Sequence, residues 1–144
     1  MLAKPHLTDE KWAAVRPVAI LLIEDNPGDI LLIEKALQAC AITDITVAAD
    51  GETALSLLME AQIMPDLIIL DLNIPKVSGI SVLQQYHPKE TPPVVVFSST
   101  WGQTEIRQAL EFGAREVVHK PVAVELFLDA VRGMVLKWAP PAAA

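Results

Sequence analysis

The sequence predicts an α/β fold, a doubly wound parallel sheet with helices on both faces. Three observations predict it. Five short apolar runs alternate along the chain with stretches of helical periodicity. The central runs, "LIIL" at 67–70 and "VVVF" at 94–97, are apolar at successive positions, as strands buried on both faces require. The 144 residues are 52% hydrophobic and 20% charged, which suits one domain with a sizeable core.

The elements follow in order. Residues 18–23 read as the first strand and end in "EDNPGD", where Asp25 or Asn26 suits a helix cap and Pro27 the first turn. The helix beyond carries Ile30, Ile33, Leu37 and Cys40 on one face. A second strand at 45–48 precedes a helix over "DGETALSLLMEA". The third strand at 67–70 precedes one over "GISVLQQY". After Pro92 and Pro93 comes the fourth strand, then a helix over 104–112 stopped by Gly113. A short fifth strand at 116–118 and a final helix over 122–137 complete the pattern. Residues 1–16 form an extension with a helical turn expected around "TDEKWAAV". Residues 17–138 form the domain, and 139–144 read as a disordered tail.

Composition excludes several functions. A net charge of −7 with scattered Lys and Arg opposes nucleic-acid binding. No apolar stretch approaches the roughly 18 residues of a membrane span, and the first residues lack the pattern of a signal peptide. Cys40 is the single cysteine, so neither an internal disulfide nor a cysteine metal site arises. A cytoplasmic location is expected. His6, His87 and His119 share no ligand spacing and read as surface or packing residues.

In open parallel sheets ligands gather at the carboxyl ends of the strands. The strand ends here present Glu24 and Asp25, then Asp71, Ser98 and Lys120. Three carboxylates around one point repel each other, and a divalent cation with oxygen ligands, Mg²⁺ above all, removes the conflict. Lys120 adds a fixed positive charge and Ser98 a hydroxyl donor. Together they are the parts needed to hold a phosphoryl group. This also explains why an apolar strand delivers a carboxylate at Asp71, where an unpaired anion would be expensive.

Those residues stand in motifs that resemble the receiver domain of two-component response regulators, over nearly all of residues 18–137: "IEDN", "ILDLNIPKVSG", "VVVFSS" and "HKP". The resemblance implies a five-stranded, flavodoxin-like sheet in the order 2-1-3-4-5. It implies that Asp71 takes a phosphoryl group from the phosphohistidine of a sensor histidine kinase. It also implies that Asp25 binds Mg²⁺ directly, Glu24 mainly through water, and that the Asn73 carbonyl completes the protein ligands. Lys120 would pair with phosphoryl oxygens, Ser98 would bond one of them, and the Lys120–Pro121 peptide would be cis. Such a protein is not an enzyme acting on other molecules. It accepts a phosphoryl group and slowly loses it.

The position three before the lysine is usually aromatic in this family, and here it is Val117, so switching is expected to run differently. The few residues after Lys137 leave no room for a DNA-binding domain, and a stand-alone receiver is expected. "EDNPGD" and Trp138 are similar to receivers that work with phytochrome-type kinases. The wide apolar band of the last helix points to a homodimer through the fourth helix, fifth strand and fifth helix. Alternatively, the N-terminal extension with Trp12 covers that band within one chain. The rival function is a degenerate receiver that works as a binding or dimerisation module without phosphorylation. A haloacid-dehalogenase phosphatase would need its nucleophile after the first strand and an acid two residues on, where this chain has Asn73. A Rossmann reading lacks its Gly-rich turn.

Overall fold

In the computed structural model of the chain, which describes residues 17–99 and 102–140, alternate residues of the central strands enter two separate cores. Among these residues the elements are β1 (Ala19–Ile23), α1 (Pro27–Ala39), β2 (Asp44–Ala48), α2 (Gly51–Met59), β3 (Leu67–Leu70), α3 (Gly79–Tyr86), β4 (Val94–Ser98), α4 (Gln103–Glu111), β5 (Glu116–His119) and α5 (Val124–Trp138). The strands form one sheet in the order β2-β1-β3-β4-β5. Every neighbouring pair is parallel.

The continuous apolar runs are explained by what they cover. Ile20, Leu22, Leu67, Ile69, Val95 and Phe97 face α1 and α5, where Ile33, Leu37, Phe127, Val131 and Met134 meet them. Leu21, Ile23, Ile68, Leu70, Val94 and Val96 face the other way, against Ala54 of α2, Val82 and Leu83 of α3 and Ala109 of α4. Successive strand side chains point to opposite faces, so a strand with helices on both sides has no polar position to spare. Phe97 and Phe127 meet edge to face with ring centroids 5.0 Å apart, joining β4 to α5.

Helix starts follow the caps that the sequence provides. The Asn26 side chain accepts from the Asp29 amide at 3.0 Å, with Pro27 at the first helical position. Asp50 accepts from the Thr53 amide at 2.7 Å, and Ser78 from the Ser81 amide at 3.2 Å. Each satisfies one of the amide groups left without a partner in a first helical turn. At the far end of the chain, the Trp138 indole N–H donates to Glu116 Oε1 at 2.8 Å. The Arg115 guanidinium stands over the same ring at 5.2 Å. These contacts tie the end of α5 to the start of β5.

The expected boundaries hold to within a residue or two. Asp44, Ser98 and His119 extend β2, β4 and β5 by one residue each, because backbone pairing reaches one rung beyond the apolar pattern, before it in β2 and after it in β4 and β5. The final helix begins at Val124, and Ala123 is its cap. The extension through Arg16, Thr100, Trp101 and the tail from residue 141 lie outside the described residues. Ala139 donates its amide to the Val135 carbonyl and packs against the core.

Candidate functional site

Strand order reverses between β1 and β3: the chain passes from β1 to β2 on one side, then returns to place β3 on the other. The crevice beyond their carboxyl ends is where this architecture binds ligands. Glu24 and Asp71 stand there because the sheet ladder runs to its last rung. The Glu24 amide donates to the Ala48 carbonyl and the Asp71 amide to the Ile23 carbonyl, both at 3.0 Å. On the other flank the Lys120 amide donates to the Ser98 carbonyl, also at 3.0 Å. Backbone register alone therefore brings four chemically active side chains to one edge.

Their side chains converge. Ser98 Oγ donates to Asp71 Oδ1 at 2.8 Å, and the Asn73 amide donates to the same oxygen at 3.0 Å. Lys120 Nζ donates to Asp71 Oδ2 at 2.9 Å, to Glu24 Oε1 at 2.6 Å and to Asp29 Oδ2 at 2.8 Å. Glu24 Oε2 accepts the amides of Asp25 and Asn26, each at 3.2 Å. Glu24, Asp71, Ser98 and Lys120 are the buried polar residues among those described, at 1%, 7%, 0% and 5% exposure. Buried charges persist only when paired, and each of these charges is paired.

The electrostatics divide the two buried carboxylates. Burial raises the carboxyl of Asp71, but the Asn73 amide, Lys120 and Ser98 together outweigh it and hold that group below its usual range. Asp71 is therefore held in its ionised form. Burial dominates at Glu24 and pushes its carboxyl up to about 7, opposed by the Lys120 hydrogen bond and aided by the nearby charge of Asp71. Burial acts to lower the Lys120 ammonium, yet its bonds to Asp29, Glu24 and Asp71 prevail and hold it above its ordinary value.

Carboxylate oxygens of Glu24, Asp25 and Asp71 lie within 4.8 Å of one another, with Asp25 exposed and the other two buried. All-oxygen donors, one of them open to water, fit a hard divalent cation such as Mg²⁺. Three carboxylates, those of Glu24, Asp29 and Asp71, surround one ammonium, and a fourth, Asp25, lies beside two of them. A divalent cation would offset the remaining excess of negative charge.

Every site residue expected from the sequence is at this edge: Glu24, Asp25, Asp71, Asn73, Ser98 and Lys120. Asp29 is the addition. Its signal was present in "EDNPGD", an acid in the first turn of the helix that leaves the site, but only the side-chain direction brings it to Lys120. One expectation is corrected. The Lys120–Pro121 peptide is trans, and among the described residues the cis peptide is Thr91–Pro92. Trans is the default of an X–Pro bond, and Lys120 reaches all three carboxylates with it. Val117 is half-buried on the α4 side of the sheet, opposite Val96 in the ladder. His87 and His119 are exposed.

A buried aspartate thus stands at the edge of a parallel sheet of this order, bracketed by a lysine, a serine and two further acids. Residues 20–132 match the response regulator receiver domain, and the chain belongs to that family. Phosphorylation by a histidine kinase is general in it. The chain is 35% identical over 116 residues to the transcriptional regulatory protein KdpE of Mycobacterium tuberculosis, covering 81% of this chain and 50% of that protein. It is 31% identical over 118 residues to the response regulator PleD of Caulobacter vibrioides, covering 80% of this chain and 25% of that one. The chain thus spans half the length or less of these relatives. Among solved structures it is similar to the phosphorylated cyanobacterial phytochrome response regulator RcpA, with TM-score 0.79, 29% identity, and coverage of 85% of this chain and 94% of that one. The Mn²⁺-bound response regulator Rcp1 gives TM-score 0.77 and 27% identity, covering 87% of this chain and 100% of that one. Among the described residues no helix is long and apolar enough to cross a membrane.

Proposed function

We propose that Asp71 accepts a phosphoryl group from the phosphohistidine of a sensor kinase, with Mg²⁺ held by Glu24, Asp25, Asp71 and the Asn73 carbonyl. The observation that carries this reading is the convergence of Ser98, the Asn73 amide and Lys120 on the two oxygens of one buried aspartate. An Asp71 oxygen attacks phosphorus. The P–N bond breaks as the P–O bond forms, and its electron pair returns to the imidazole. Lys120 offsets charge on the transferred group, and Ser98 exchanges its bond to Asp71 Oδ1 for one to a phosphoryl oxygen. Bound Mg²⁺ supplies neutralisation of the same oxygens. The product is an acyl phosphate that the chain itself slowly loses, so the protein is a signalling phosphoacceptor and not an enzyme acting on others.

Intact mass after incubation with acetyl phosphate and Mg²⁺ tests this. One added phosphoryl group is expected on the wild-type chain, and none with Asp71→Asn or without metal. If there is no adduct and no binding of beryllium fluoride, which mimics the phosphoryl group, the reading falls. A phosphorylation-independent binding module then takes its place.

The likeness to the phytochrome response regulator RcpA supports a phytochrome-type kinase as the partner, and the reading is completed by a cytoplasmic receiver that signals by protein contact. Near α5, Val122 is 99%, Leu126 59% and Leu136 84% exposed, an apolar surface that supports a homodimer through α4, β5 and α5. Light scattering should give twice the chain mass for the full chain and for one beginning at Arg16. A monomer in both cases rejects the dimer. With no aromatic ring at Val117, the signal reaches that surface through the movement of Ser98 and the chain after β4.

A further inference from the structure

An ammonium group has three N–H donors, and all three of Lys120 are committed, to Glu24, Asp29 and Asp71. A phosphoryl oxygen can pair with Lys120 only by displacing one of these. The three are not equally free to leave. The Glu24 side chain is 2% exposed, and its second oxygen is already held by two backbone amides. Losing the ammonium would strand its charge in the interior. Asp71 is the group that carries the phosphoryl. The Asp29 side chain is 28% exposed, so water can take over its hydrogen bonds. Its backbone is fixed by a different atom, the Asn26 side-chain oxygen, and α1 keeps its cap when the carboxylate moves away.

We propose that Asp29 is a placeholder for the phosphoryl group: it occupies the third donor of Lys120 in the unphosphorylated protein and yields it on phosphorylation. This rests on the phosphoacceptor reading above. Asp29 is then a positioning residue, acting through Lys120. It holds the ammonium at the site before the phosphoryl group arrives, and it weakens the phosphorylated state by the strength of the bond that must be broken. A simpler role for an acid in a first helical turn is favourable interaction with the helix dipole. That role affects stability and leaves phosphoryl binding untouched.

The test is beryllium fluoride affinity of the full chain at saturating Mg²⁺, measured by calorimetry. Asp29→Asn should tighten binding by about two- to fivefold, the scale of a partly exposed ion pair that no longer has to be broken. Glu34→Gln, which removes a charge from the same helix without touching Lys120, should change nothing. In a Lys120→Gln background the Asp29→Asn effect should disappear. If that background does not fold, the Glu34→Gln control decides alone. Unchanged affinity in Asp29→Asn overturns the inference, as does equal tightening in Glu34→Gln, which would assign the effect to overall charge. A wild-type chain that binds no beryllium fluoride overturns the phosphoacceptor reading and this inference together.

Discussion

Lys120→Met should lower the stability of the metal-free protein by ~3 kcal/mol at neutral pH, because removing one partner of a buried ionic cluster leaves uncompensated charge. The methionine fills similar volume, so the loss is electrostatic and not a cavity effect. Glu24, Asp29 and Asp71 all lose their shared ammonium. Denaturant unfolding with and without Mg²⁺ checks it: the metal should restore part of the loss by offsetting the charges of Glu24 and Asp71. The pH dependence has a defined sign. In the wild type, Asp71 is held below its usual 3.8, so its contribution is present above that value and is lost as pH falls through the folded pKa. Burial already raises the Glu24 carboxyl in the wild type, and the variant removes the Lys120 bond that opposes the rise, so there folding gains protons at Glu24 and acid favours the native state. The gap between the two proteins should therefore widen as pH rises through about 7, where Glu24 ionises, and narrow towards about pH 4. A gap that does not change with pH would show that Lys120 matters through packing.

Much of this site was legible in the sequence because strand register places it. A run buried on both faces ends where the ladder ends, so the residue after it, Asp71 after Leu70, must stand at the sheet edge, and the half-buried edge strand β5 ends level with it, at Lys120. Asp29 was not legible in the same way. It sits on α1, one turn beyond the strand, and its role depends on a side-chain rotamer that spacing does not encode. The trans peptide before Pro121 is not legible for a related reason. Its isomer is a local balance of small energies that a motif does not determine.

Gly51→Ala should destabilise the protein by about 3 kcal/mol or more and loosen the segment that carries Asn73, while Gly133→Ala should stabilise it by ~0.5–1 kcal/mol. Both glycines lie in helices, α2 and α5, where alanine is ordinarily the better residue. Their surroundings separate them. A Cβ on Gly133 meets nothing within 4 Å, whereas one on Gly51 would overlap the Val77 carbonyl oxygen and lie 2.7 Å from its carbon. Neither position needs a left-handed backbone, so the contrast is steric. The reason for the close approach lies in the site. The Gly51 amide donates to the Pro75 carbonyl at 3.2 Å, pressing the segment between Asp71 and α3 against the start of α2. Gly79 closes the other side: its amide donates to the Leu72 carbonyl at 3.0 Å, and a Cβ there would lie 2.7 Å from the Asp71 carbonyl oxygen. The two glycines let the backbone fold tightly enough to present the Asn73 amide to Asp71 Oδ1. Gly51→Ala should thus weaken Mg²⁺ binding as well as lower the melting temperature, and Gly133→Ala should raise the melting temperature with Mg²⁺ binding unchanged. Equal behaviour of the two variants would show that the segment tolerates displacement and that its contact with α2 is not what shapes the site.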